Sequence, residues 1–339
     1  MKLTKPIVLA LMLAVCFACE NKELTTNELQ SSKRIEQKFI KIDVNFEEGA
    51  NALRNGKTKN NNDDPVLDMM TKINAAIAGQ GIILEKVEIL GADEAGRTVF
   101  FDNRGSKQTN FDWVPNDPRN NGFGAAVPYW IDDTQLGTSS GMTQQATFDA
   151  MVNSMHTWEA VSCSDGLEIP FLGTSGFDIG LVQYLEGFGG SDLVIVGAIA
   201  HAGILPPDFF ETVLGPGAGT GTIGVTFTFS YGTDIDGNGK GDTALSEIYI
   251  NDNFNFQDAP NDDLFDGNGV IDFETIVLHE VGHGLSQAHF GTAFRDGGQG
   301  NLHFSPAALM NAGYTVGRRD ISGTDEAGYC SNWGTWPNN

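Results

Sequence analysis

Basic residues are scarce in this chain. Its 339 residues hold 20 Lys and Arg against 44 Asp and Glu, a net charge of −24, and no Lys or Arg occurs between 121 and 239. Residues 121–339 carry only Lys240, Arg295, Arg318 and Arg319 against 27 acidic side chains, net −23, whereas residues 1–120 are nearly balanced. A surface this acidic repels phosphate backbones and excludes nucleic acid as a partner. It is either a solvated acidic face or one whose charge is offset by bound cations. Long hydrophobic runs are missing too: the run from Pro6 to Ala18 is too short to span a bilayer comfortably. There is no internal repeat. What is present is a 40% apolar content, enough for a packed core and too much for a disordered chain. The length suits one or two domains.

Lys2 and Lys5 precede the apolar run, which has the layout of a secretory signal over residues 1–18. It ends in Ala18-Cys19-Glu20-Asn21-Lys22, a small residue before Cys and then an abrupt polar switch. This resembles a bacterial lipoprotein signal. The resemblance implies a lipidated Cys19, a cell-envelope protein (outer membrane or cell surface) and a membrane link through the lipid anchor only; an ordinary cleaved signal would give a secreted protein. Cysteine is sparse, with four in all. Once Cys16 leaves with the signal and Cys19 is acylated, Cys163 and Cys330 remain. In an oxidising compartment this pair is expected to form a disulfide, the alternative being two buried thiols.

Residues 19–64 are polar and read as a tether. Residues 65–121 read as a small α+β segment or pro-segment. A helix is predicted over 65–79, with Val66, Met69, Met70, Ile73, Ala76 and Ile77 on one face, and strands over 82–89 and 97–101. Residues 122–339 read as a second unit, an α+β domain. Strands are predicted at 127–131, 192–199, 223–230 (half-exposed, from its Val/Phe against Thr/Ser alternation) and 247–250. Helices are predicted at 143–161, from a cap at Asp272 to about Gly284, and from Thr324.

The chemistry centres on His279-Glu280-Val281-Gly282-His283. Residues four apart on a helix share a face, so both imidazoles can reach one metal, and zinc accepts imidazole nitrogen readily. Glu280 beside the first His can take a proton from water and pass it on. His289, six residues on, is the candidate third ligand if the helix stops and the chain turns back after Gly284. His156, His201 and His303 read as structural or solvated.

This run resembles the metzincin zinc endopeptidases, whose longer motif is His-Glu-x-x-His-x-x-Gly-x-x-His. Ser286 stands where the family has Gly, and a positive φ there costs a Ser about 1 kcal/mol. Ala307-Ala308-Leu309-Met310-Asn311-Ala312-Gly313-Tyr314 resembles the Met-containing turn of the matrixin branch, with Met310 beneath the metal and 290–306 as an inserted loop. The resemblance implies a metzincin-like α+β domain with a twisted sheet, an active-site helix and a C-terminal helix, in which strand 223–230 is the sheet edge that binds substrate in extended form. It implies zinc on His279, His283 and His289, Glu280 as general base, and a protein or peptide substrate. The protein is expected to be monomeric. Many matrixins stay latent through a pro-segment Cys. None lies between Cys19 and Cys163, so Asp112 and Asp117 are candidates for that role, against a plain reading as turn residues.

Two acidic loops resemble parts of an EF-hand calcium loop. Asp234, Asp236, Asn238 and Asp242 fall at ligand spacing with Gly239 at the tight turn, but Leu245 stands at the closing position, for which Glu247 is the candidate substitute. Asp266, Asn268 and Asp272 repeat part of the pattern. Calcium as a structural cofactor is the expectation, polar Gly-Asn turns the alternative. The function expected is a secreted or surface-anchored zinc endopeptidase. A calcium-dependent surface binding lipoprotein with a non-cleaving metal site is the alternative, and a zinc hydrolase of non-peptide substrates a third reading.

Overall fold

Strands Thr222–Ser230 and Gly241–Asn251 are buried along their whole lengths and run antiparallel at the centre of a mixed sheet. The structure, a computed structural model, describes residues 39–54, 64–101, 111–164, 166–260, 264, 269–321 and 323–338. The expected signal peptide, Cys19, Asp266 and Asn268 lie outside the described residues. In chain order the elements begin with β1 (Ile40–Lys41), α1 (Phe46–Arg54), α2 (Pro65–Ala76), β2 (Ile83–Gly91), β3 (Arg97–Phe100), β4 (Phe111–Asp112) and β5 (Tyr129–Ile131). There follow α3 (Gln144–Glu159), β6 (Phe171–Thr174), α4 (Leu181–Glu186), β7 (Leu193–Val194), β8 (Ala198–Leu205), α5 (Pro207–Leu214) and α6 (Ala218–Gly221). The chain continues through β9 (Thr222–Ser230), β10 (Gly241–Asn251), β11 (Phe256–Gln257), β12 (Ile271–Asp272), α7 (Phe273–Gly284), β13 (Thr292–Arg295), β14 (Leu302–Ser305) and α8 (Thr324–Trp333). Among the described residues this is an α+β fold with eight helices and an eight-stranded mixed sheet.

The sheet order is β3-β2-β9-β10-β8-β5-β6, with β4 beside the start of β10. The half from β3 to β10 is antiparallel; the half from β10 to β6 is parallel. One face packs on α7, with α3 beyond it, through Leu90, Ile199, Ile223, Ile248 and Ile276. The other face carries Phe227 and Tyr249 against Phe209 of α5, with the Phe209 and Tyr249 rings 4.9 Å apart. Both faces are therefore covered by helices, and the central strands β8, β9 and β10 have no solvent side.

Several sequence expectations hold. The six residues assigned to one face of the helix after Pro65 are all buried, and Asp64 caps that helix through Val66 N. Thr143 caps α3. Cys163 and Cys330 are disulfide-bonded, their Cα atoms 5.6 Å apart, which is consistent with an exported protein. Among the described residues no helix is long and apolar enough to cross a membrane.

Other expectations need correction. The tether reading fails for residues 40–54: β1 pairs with β7, and α1 lies so close to α2 that a Cβ on Gly49 would sit 3.0 Å from Lys72 O. The boundary expected after residue 121 runs through the sheet, because β2 pairs along its length with β9. Strand 222–230 is consequently neither a sheet edge nor half-exposed. Its Thr226 and Thr228 face a buried polar layer against α7, where alternation had suggested water. The strand predicted over 192–199 is two strands, β7 and β8, parted by a positive φ at Gly197. The expected inserted loop 290–306 contains the hairpin β13–β14.

The disulfide closes a chain segment of 167 residues. Replacing Cys163 and Cys330 by Ser should lower stability by up to about 5 kcal/mol in the chain-entropy limit, read as a fall in Tm. An unchanged Tm would show that the bond constrains nothing.

Candidate metal centre

Helix α7 is built to be buried. Asp272 caps its start by accepting from Thr275 N and Thr275 Oγ1, and Phe273, Ile276, Val277, Leu278 and Val281 surround it with apolar contacts. Burial alone would raise the Asp272 pKa, but Arg319 and Thr275 outweigh it and hold the carboxyl below its usual value. At the other end buried terminal carbonyls are capped by indoles: Trp113 Nε1 donates to Gly284 O at 2.9 Å and Trp333 Nε1 to Leu285 O at 3.0 Å. Ser286 then takes φ +65°, the left-handed turn expected at this departure from glycine. Gln287 N donates to Gly282 O and Asn332 Nδ2 to Ser286 O, which hold the turned chain.

The turn brings the third histidine back. The Nε2 atoms of His279, His283 and His289 lie 3.0, 3.1 and 3.3 Å apart. Tetrahedral zinc with nitrogen ligands at about 2.0–2.1 Å requires separations of about 3.3 Å, so the three imidazoles fit one ion. Their opposite nitrogens are occupied: His279 Nδ1 donates to Leu309 O at 2.7 Å and His283 Nδ1 to Gln287 O at 2.8 Å. Those bonds leave each Nε2 lone pair facing the common point. His289 Nδ1 is 3.4 Å from Thr98 Oγ1. Burial pushes the His279 pKa down to about 3 and His289 well below normal, which suits neutral ligands. Burial also opposes charge on His283, but the Glu88 carboxylate outweighs it and raises that pKa.

Glu280 is fully buried beside the cluster. Thr226 Oγ1 of β9 donates to its Oε2 at 2.6 Å, while Oε1 has no hydrogen-bond partner among the described residues. Burial pushes its pKa up to about 7. Such a carboxyl can both accept and return a proton near neutral pH. Met310 lies beneath: a Cβ on Gly282 would be 2.5 Å from Met310 Sδ and 2.8 Å from Trp158 Cζ2. Asp325 of α8 fixes that segment by accepting from Leu309 N and Met310 N at 2.8 and 3.0 Å.

The expected latency residues are elsewhere. Asp112 accepts from Lys240 and Asn238, and Asp117 from Arg119. Both are buried, so neither is a surface turn residue. A second acidic group at the cluster, besides Glu280, is Glu88 of β2, its Oε2 3.2 Å from His283 Nδ1 and 2.8 Å from Lys86 Nζ. Burial works against its charge, yet His283 and Lys86 together hold its pKa low. In the sequence it is marked only as one of three charged residues, with Glu85 and Lys86, among the apolar residues of strand Ile83–Gly91.

In the first acidic loop, carboxylate oxygens of Asp234, Asp236 and Asp242 lie within 4.8 Å of one another. Asn238 Nδ2 donates to both Asp112 and Asp236, and Arg119 pairs with Asp242. Glu247 does not close this loop. It is buried in β10 and accepts from Leu181 N, Val182 N and Tyr249 Oη. In the second loop, Asp272 is committed to the α7 cap and to Arg319.

A scan against models of known protein families finds no match, and a search of curated proteins finds none of significant similarity.

Gly282→Ala should cost about 1–3 kcal/mol of stability, because the rigid Trp158 ring and Met310 leave its methyl no space. A Tm equal to that of the unsubstituted protein would contradict this packing.

Proposed function

We propose that this chain is an exported zinc-dependent endopeptidase of metzincin type. The observation that carries the reading is the convergence of three imidazole Nε2 atoms to 3.0–3.3 Å beside the buried carboxyl of Glu280. Three neutral nitrogens with one open position are the donor set of a hydrolytic zinc site, whereas closed structural sites use four protein ligands. Bound there, zinc supplies Lewis acidity toward the scissile carbonyl and makes water a stronger nucleophile at neutral pH. Glu280 takes the proton of the attacking water and delivers it to the leaving amine. Thr226 holds one of its oxygens and leaves Oε1 available. The rings stay aimed because Leu309 O and Gln287 O hold their Nδ1 atoms. The Met-turn that the sequence resemblance implies at 307–314 is supported by the approach of Met310 Sδ to Gly282 of α7.

The lipoprotein-type signal with Cys19 supports a cell-envelope location, with protein or peptide as substrate. Asp234, Asp236 and Asp242 carry no part of this reading, since Arg119 and Lys240 already supply counter-charge around their loop. That arrangement also weakens the calcium-dependent binding protein as an alternative.

Glu280→Gln should keep about one zinc per chain by elemental analysis while casein cleavage falls about 100- to 10,000-fold. Cleavage by the variant at the unsubstituted rate would overturn the assignment. So would cleavage that survives 1,10-phenanthroline.

A further inference from the structure

Strand β2 carries charge where a buried strand has no use for it. Lys86 and Glu88 are 5% and 0% exposed, and their side chains pair at 2.8 Å. Apolar residues of similar volume would be about as stable there, because the desolvation of two charges cancels most of their attraction. The pair therefore answers to something other than the packing of the sheet.

The register of the sheet shows what that is. Glu88 lies opposite Thr98 of β3 on one side and opposite Thr226 of β9 on the other. Each member of this row of three meets a different part of the candidate site. Thr226 Oγ1 donates to Glu280 Oε2 at 2.6 Å, Thr98 Oγ1 is 3.4 Å from His289 Nδ1, and Glu88 Oε2 is 3.2 Å from His283 Nδ1.

The nitrogen of His283 that faces Glu88 decides what the carboxylate can do. The three Nε2 atoms converge on one point, and Nδ1 is turned away from it. Glu88 thus meets the ring from behind and is not placed as a fourth ligand. The Nδ1 hydrogen goes to Gln287 O at 2.8 Å, which aims the ring. What Glu88 adds is charge: an anion beside the far nitrogen makes an imidazole a stronger donor to a metal. Lys86 opposes that effect, since it draws on the same carboxylate and places a positive charge near a site for a cation.

We infer that Glu88 is a positioning residue of the metal centre, which from β2 strengthens the hold of His283 on the ion, and that Lys86 limits this hold. Strands β2 and β3 then supply part of the centre itself, although they stand far before the His-Glu-x-x-His run in sequence. This role rests on the zinc reading of the three histidines and not on peptide cleavage.

The test uses the full chain. Zinc affinity is measured by competition with a chromogenic chelator, folding by the Tm of the zinc-free protein, and the ligand field by the visible absorption of the cobalt(II) form. Glu88→Gln keeps the size of the side chain and removes its charge; Lys86→Met removes the opposing charge. Both break the same ion pair, so a purely structural pair predicts that they shift Tm and zinc affinity in the same direction. The role inferred here predicts different signs: the zinc Kd rises about 10- to 100-fold in Glu88→Gln and is unchanged or lower in Lys86→Met. The cobalt absorption band shifts in Glu88→Gln. Unchanged affinity in Glu88→Gln, or the same loss in both variants, would overturn the inference. If a single variant does not fold, Lys86→Met/Glu88→Gln replaces it, because the double variant leaves no buried charge unpaired. Its Kd is expected to rise about tenfold or more; a Kd equal to that of the unsubstituted chain, or failure of this variant to fold, would overturn the inference as well. An unsubstituted chain that takes up no zinc overturns the zinc reading and this role together. The expected affinity shifts in a protein that leaves casein intact support the role and overturn the endopeptidase reading alone.

Discussion

Everything in the site depends on the reversal of the chain after Gly284. A helix can present His279 and His283 together, but it cannot supply a third ligand six residues later without ending abruptly. Ser286 at φ +65° makes that end, at a cost of about 1 kcal/mol for a residue with a Cβ. The indoles of Trp113 and Trp333 offset it by satisfying the helix-end carbonyls. Trp333 belongs to α8, which also supplies Asp325 to the segment under the rings and Cys330 to the disulfide. The C-terminal helix is therefore the brace of the turn.

The second constraint is charge. Few cations serve many carboxylates in residues 121–339, and the structure uses them at junctions. Arg319 joins Asp258, Asp272 and Glu274 at the start of α7, while Lys240 and Arg119 tie Asp112, Asp117 and Asp242 where β4 meets β10. Arg119 and Asp112 come from the sequence before residue 121, which shows again that the two parts of the chain are assembled together. No cation from this set pairs with Glu280, whose Oε2 accepts from Thr226 Oγ1.

What the sequence made legible was local. The helix after Asp272, the face of the helix after Pro65, the disulfide and the three-histidine cluster each follow from spacing or capping that acts within a few residues or from counting cysteines. What stayed hidden was decided by distant partners. Thr226 and Thr228 looked solvent-facing because alternation reports polarity, and it cannot distinguish water from a buried polar layer. Residues 40–54 looked like a tether because α1 is short and polar, and its packing on α2 rests on a close approach at Gly49. Asn238 sat at a ligand spacing, yet its amide donates to Asp112, remote in sequence, as well as to Asp236. Glu88 escaped notice because nothing within its own strand says that β9 will lie beside it.

Three imidazoles, of His279, His283 and His289, are placed to hold one ion. Zinc-edge X-ray absorption on the full chain loaded with one equivalent of zinc tests this directly. The prediction is a shell of three imidazole nitrogens at about 2.0–2.1 Å that loses one nitrogen in His289→Ala. A spectrum without imidazole scattering, or one unchanged by that substitution, would contradict it.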